Sequence, residues 1–212
     1  MTFKLVFPPA GSELTAPHDL NHSFKFKDYA PHAFAAIRAH FGVDTPSYVR
    51  SLCSQFSFIE FIANSRSGQF FFYSADGKYM IKTQTKEECT FLRRILPHYY
   101  RHVIQNPATM LTRFYGMHRV KMHHIRRKMR FVVMGSVFAT REDVKCMFDV
   151  KGSTVGRFAK PGERVLKDCD LHRMGPDGAP LKLRLGHGRR EHFLMQASPL
   201  SLRARGSESA PS

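Results

Sequence analysis

Gln69-Phe-Phe-Phe-Tyr73, Ser74-Ala-Asp-Gly77 and Lys78-Tyr-Met-Ile-Lys82 follow one another without a break. The aromatic run reads as a strand, because such side chains fit a pleated, half-buried surface. Asp76-Gly77 is a hairpin signal, since the tight turn needs residues that tolerate positive φ. Lys78 to Lys82 is then the returning strand. Ser65-Arg-Ser-Gly68, just before the hairpin, reads as a small flexible loop. After it a helix is predicted from Lys86 to Leu96, with Pro97 as its stop. Thr85 and Glu88 have capping-box spacing, in which hydroxyl and carboxylate satisfy two orphan N–H groups, worth about 1 kcal/mol.

Outward from this core the pattern alternates. Phe34, Ile37 and Phe41 recur at helical spacing, which predicts a helix over Pro31 to Phe41 ended by Gly42. A second helix is predicted from Pro46 to Cys53. Further strands are expected near Met110–Val120, Met129–Val137 and Val144–Val150. That order suits an α+β fold, an antiparallel β-sheet with flanking helices. Residues 1–27, with Phe3, Leu5 and Phe7 followed by Pro8-Pro9, read as a strand or arm followed by loop, a partly ordered N-terminal arm. The main domain is placed at 28–196, with a helix within Leu181–Gln196. The Ser-, Arg-, Gly- and Pro-rich stretch 197–212 reads as a disordered tail.

The 212 residues hold 42% hydrophobic side chains, 19 Phe and 7 Tyr among them, enough for a core. Lys and Arg number 33 against 17 Asp and Glu, a formal charge of +16. This balance points to anionic partners: lipid, nucleotide phosphate or nucleic acid. Cys53, Cys89, Cys146 and Cys169 include no CxxC pair, so neither a zinc site nor a redox pair is indicated. They read as reduced thiols of a cytoplasmic protein. No apolar run approaches the roughly 18 residues of a membrane span, and Met1 to Pro9 is too short for a signal peptide. Membrane contact is therefore expected to be peripheral, at the cytosolic face.

Three constellations could carry chemistry. Gly68, Lys82 and Glu88 make a loop, a strand lysine and a helix carboxylate, the parts that position phosphates in kinase-type phosphoryl transfer. Lys82 is equally readable as a solvated edge lysine, and Glu88 as a cap alone. Asp149-Val-Lys-Gly-Ser-Thr154 with Arg157 suggests a polar turn facing a cleft, or an ordinary surface turn. From Arg113 to Arg130 the chain holds Arg113, Arg119, Lys121, Arg126, Arg127, Lys128 and Arg130 with no acid between them. His118, His123 and His124 can add charge at low pH. This run suits an anionic leaflet, at about 1 kcal/mol per residue, or is a solvated strand edge. Nucleic-acid binding has no supporting motif.

The residues resemble the phosphatidylinositol phosphate kinase family from about Phe7 to Leu171. The similarity runs through Phe7-Pro-Pro-Ala-Gly-Ser-Glu-Leu-Thr15, Pro17-His-Asp-Leu20, Phe26-Lys-Asp-Tyr29 and Tyr48-Val-Arg-Ser-Leu-Cys53. It continues through Met80-Ile-Lys-Thr83, Leu96-Pro-His-Tyr-Tyr100, Arg113-Phe-Tyr-Gly116 and Val132-Val-Met134. It closes on Phe148-Asp-Val-Lys-Gly-Ser153 and Leu166-Lys-Asp-Cys-Asp-Leu171. The resemblance implies a protein-kinase-like two-lobed fold, here the N-lobe with most of the C-lobe missing. It implies ATP and Mg2+ as cofactors, and a phosphoinositide lipid and an anionic membrane surface as partners. A homo-oligomer is a further expected partner; nucleic acid is not. Lys82 looks like the phosphate lysine, Glu88 its helix partner, and Gly68 part of the phosphate-covering loop. Met134, Val137 and Phe138 fall in the adenine-lining segment, and Lys151 looks like a second phosphate contact. Asp149, Asp168 and Asp170 match acidic motifs with no role assigned.

Val150 and Cys169 stand where the family usually has Leu, and Gly135-Ser136 where an Asn-rich hinge is common. The Met-Asp-Tyr-Ser-Leu-Leu motif expected soon after Phe193-Leu-Met-Gln196 does not follow. No catalytic residue and no metal ligand is therefore identified. The expectation is a truncated kinase with little or no activity alone. The alternative is a non-catalytic half-kinase that binds nucleotide, anionic membrane or a full-length partner.

Overall fold

The computed structural model describes residues 1–53, 59–62, 69–171 and 185–197. The chain divides into two compact units, Met1–Ala139 and the residues from Thr140 on.

The first unit is built on seven strands: β1 (Thr2–Phe7), β2 (Phe24–Tyr29), β3 (Ile59–Ile62), β4 (Phe70–Tyr73), β5 (Tyr79–Gln84), β6 (Phe114–Met122) and β7 (Arg127–Gly135). They form one sheet in the order β1-β2-β6-β7-β5-β4-β3, with every neighbour antiparallel. Helices α1 (Pro31–His40), α2 (Thr45–Cys53) and α3 (Lys86–Gln105) complete the unit. The α+β architecture is as the sequence implies. Residues 1–27 begin with a strand, one of the two forms the sequence allows. They supply β1 and most of β2, because Leu5, Phe24 and Phe26 have apolar neighbours across the strands, with Phe7 stacked on Phe24 at 4.9 Å.

The hairpin between β4 and β5 closes where Asp76-Gly77 predicts. Gly77 sits at φ 69°, a left-handed value that glycine adopts without strain. The Asp76 carboxylate accepts hydrogen bonds from Ser51 Oγ, Ser74 Oγ and Lys78 N. Burial opposes its ionisation, yet these donors hold the carboxyl at about 2.

Pro97 does not end α3, as the sequence suggested; the helix runs 20 residues through it. Proline inside a helix costs about 3 kcal/mol relative to alanine. Beyond it, Tyr99 and Val103 are buried, each contributing roughly 1.5–3 kcal/mol. Tyr99 Oη also donates to Thr112 O and accepts from Phe114 N, both at 2.8 Å. The anchoring outweighs the breaker. Lateral register places Met117, Val132 and Lys82 on one sheet face, the face that α3 packs against: Tyr99 lies 5.1 Å from Phe114 on that side. Phe34, Ile37, Val103, Met117 and Val132, all at most 1% exposed, are the centre of the core.

The second unit holds a parallel pair, β8 (Met147–Asp149) and β9 (Val165–Lys167), with α4 (Asp168–Leu171) and α5 (His187–Ala197). The strand expected at Val144–Val150 is thus shorter and belongs outside the antiparallel sheet.

Candidate functional site

The first unit gathers two of the predicted phosphate-binding residues. Lys82 projects from β5 over the ring of Phe71, 5.7 Å from its centroid, and its Nζ lies 3.9 Å from Glu88 Oε1. Glu88 stands in the first turn of α3. Its Oε2 accepts from Thr85 N at 2.8 Å, and Glu88 N donates to Thr85 Oγ1 at 3.1 Å, so the capping box is complete. The cap and the lysine contact therefore use different oxygens of one carboxylate. Gln69, not among the candidate site residues of the sequence analysis, donates its amide to the same Oε2. Burial works against ionised Glu88, but the Thr85 and Gln69 donors and the Lys82 charge hold its carboxyl below the ordinary value. Capping locks the rotamer that presents Oε1 to Lys82. Gly68 lies outside the described residues.

The adenine-segment residues separate. Met134 is buried in the core at 6% exposure, paired with Met80 across the ladder. Val137 lines a cavity of about 500 Å3 with Val43, Lys78, Tyr79 and Ser136. Phe138 is exposed and is not part of that lining.

The second unit gathers the Asp149-to-Arg157 turn and both later acids. Asp168 is 5% exposed. Its Oδ1 accepts from Lys151 N at 2.9 Å and Gly152 N at 2.8 Å, and its Oδ2 from Arg157 Nε at 2.8 Å. Burial opposes the charge, but Arg157 and the two amides hold the carboxyl far below the usual range. Asp149 pairs with Lys151 Nζ at 3.2 Å and Arg157 Nη2 at 3.3 Å. Against the cost of its own burial, these partners keep its carboxyl low. Asp170 Oδ2 accepts from Ala159 N and Lys167 N, both at 2.9 Å. Asp168 and Asp170 are therefore backbone clamps, while Asp149 holds the Lys151 and Arg157 side chains. Asp168 fixes the Lys151-Gly152 turn, with Gly152 at φ 70°, and leaves the Lys151 side chain 63% exposed. Cys169, at the position usually Leu, is buried with Sγ donating to Thr154 O. Among the described residues no three His, Cys, Asp or Glu side chains group as a metal site.

A strand lysine paired with a helix carboxylate is one of the parts that position nucleotide phosphates in protein kinases. A family profile described as phosphatidylinositol-4-phosphate 5-kinase matches residues 52–198. The chain belongs to that family. The stretch matched contains Lys82, Glu88, Met134, Lys151 and Asp168. Over 200 residues the chain is 39% identical to a probable phosphatidylinositol phosphate kinase of Dictyostelium discoideum, covering 90% of this chain and 27% of the relative. It is 41% identical to phosphatidylinositol 4-phosphate 5-kinase 9 of Arabidopsis thaliana, covering 81% of this chain and 21% of the relative. A phosphatidylinositol 4-phosphate 5-kinase of Schizosaccharomyces pombe is 44% identical, over 73% of this chain and 20% of its own length. The chain thus spans between a fifth and about a quarter of the curated relatives it matches.

Proposed function

We propose that this chain binds the phosphates of ATP, in a kinase that transfers the γ-phosphoryl group to a ring hydroxyl of a phosphoinositide. The observation that carries the reading is the Lys82–Glu88 pair on the capped end of α3. Lys82 offers a cation on a rigid strand, and Glu88 holds its ammonium in place. Lys151, in the second unit, stays exposed on the turn that Asp168 clamps, where the family resemblance implies a phosphate contact. Mg2+, when bound, neutralises charge on the phosphate oxygens; no residue is assigned to it.

The test is equilibrium binding of labelled ATP. Removing the Lys82 ammonium with Lys82→Ala takes away a charge-assisted contact, and the Kd rises about tenfold or more. Melting temperature stays near that of the parent chain. An unchanged Kd in a folded variant sinks the phosphate role.

A specific arrangement supports an anionic membrane surface as partner. Antiparallel register aligns Lys4, Lys27, Arg119 and Arg130 in one row across β1, β2, β6 and β7. Two residues along, Lys25, Lys121 and Lys128 form a second row on the same face. The buried Nε of Arg119 has no hydrogen-bond partner among the described residues. Burial and then Arg119, Lys4 and Arg93 push the Lys27 ammonium down from its ordinary value. Like charges set directly opposite destabilise a sheet. Their retention on one face suits an external polyanion. Three of the run's seven cations, Arg113, Arg126 and Arg127, fall outside these rows: Arg113 lies over the Phe41 ring at 4.3 Å, and Arg126 turns the hairpin at φ 53°. His123 adds little charge on mild acidification, because Lys121 lowers its pKa. No described helix is long and apolar enough to cross a membrane.

A further inference from the structure

We propose that a cavity beside α3, separate from the Lys82 site, takes up one anionic phospholipid. The cavity measures about 640 Å3, a size that holds small ligands. It lies among the start of β1, the end of β2, α1 and α3. Leu96, Pro97, Ile104 and Ala33 give it apolar walls; Tyr29 and Tyr100 add aromatic faces. Among the described residues its charged side chains are Arg93 and Arg101, and no carboxylate lines it. Eight residues apart on one helix, the two arginines are about 12 Å apart along its axis, with Leu96, Pro97 and Tyr100 between them. Arg93 is held over the Tyr29 ring at 5.0 Å, while Arg101 is exposed. An apolar trough flanked by two uncompensated guanidinium groups matches a molecule with an acyl chain and a phosphate.

Its position selects a lipid over a soluble acidic peptide. Thr2 and Tyr29, both in the lining, are a lateral pair on the same sheet face as the Lys4–Lys27 pair, two residues away. The cavity is thus continuous with the cationic rows. An anionic leaflet brought to those rows presents its lipids at the mouth of the trough. The inference rests on the reading of that face as the membrane contact, and the variants below separate the two.

The chain contains no Trp, so Tyr100→Trp creates a single fluorescent reporter inside the cavity. The probe is a water-soluble, short-chain phosphatidylserine with brominated acyl chains, which quench only at contact. Saturable quenching is expected, with the matching phosphatidylcholine weaker. Arg101→Glu, at an exposed position, weakens it about tenfold, the factor for one lost charge-assisted contact. Arg93→Glu does the same; because Arg93 packs on Tyr29, its melting temperature is compared with that of Arg101→Glu. Lys121→Glu/Lys128→Glu lowers binding to phosphatidylserine vesicles but leaves the quenching by soluble lipid intact. Equal quenching by both lipids, or an unaltered affinity in Arg101→Glu, overturns the proposal. So does displacement of the lipid by inorganic phosphate or by polyglutamate at the lipid's own concentration. Loss of quenching in the Lys121/Lys128 variant would move the lipid out of the cavity onto the cationic rows and also overturn it.

Discussion

At the scale of single residues, each unit relies on a carboxylate held ionised by more than one donor. Glu88 joins a cap to a lysine contact; Asp168 joins two backbone amides to a guanidinium. Replacing Asp168 with Asn removes the charge that Arg157 faces, and a lower melting temperature with weaker ATP binding is the expected result. The pH dependence has a definite sign. Asp76 titrates at about 2, and Asp149 and Asp168 also lie below their ordinary values. A carboxyl depressed on folding stabilises the native state above its unfolded pKa of about 3.9, and that contribution is lost as pH falls through the folded value. Urea midpoints should therefore hold steady near neutrality and fall between about pH 4 and about pH 2. Asp76→Asn should flatten part of that fall. A midpoint that rises on acidification across this window contradicts the assignment.

At the scale of elements, sequence and structure agree where local signals and burial point the same way. The hairpin at Asp76-Gly77 and the cap at Thr85 are set by a turn and by two side chains near in sequence, so both were legible. Pro97 misled because it is a local signal overruled by distant partners: Thr112 and Phe114 anchor Tyr99 beyond it. The rows of cations were hidden for a different reason. Lys4, Lys25 and Lys27 lie far from Arg119 and Lys121 in sequence, and only strand register makes them neighbours. Asp168 was visible as an acid, but its role depends on amides 16 and 17 residues away. The helix offers its own test. Pro97→Ala restores the missing backbone donor and removes the ring clash with the preceding turn. A gain of about 1–3 kcal/mol in unfolding free energy is expected in urea denaturation. A loss would mean that the ring's packing matters more than the hydrogen bond.

At the scale of the whole molecule, the charge of +16 is a property that folding organises as well as tolerates. Arg119 stands between Lys27 and Arg130 in the first row. If that row is kept for an anionic surface, stability and binding must move in opposite directions when it is neutralised. Arg119→Gln relieves two like-charge contacts and should stabilise the fold by roughly 0.2–1 kcal/mol. The same variant should bind phosphatidylserine vesicles more weakly. Both differences should shrink together as salt is added. The screening length falls from about 10 Å at 0.1 M to about 3 Å at 1 M, below the roughly 5 Å between opposed side chains. Unfolding and vesicle sedimentation measured in parallel across that range decide the point. A stability gain that survives at high salt would come from packing at position 119, and unchanged vesicle binding would remove the first row from the membrane contact.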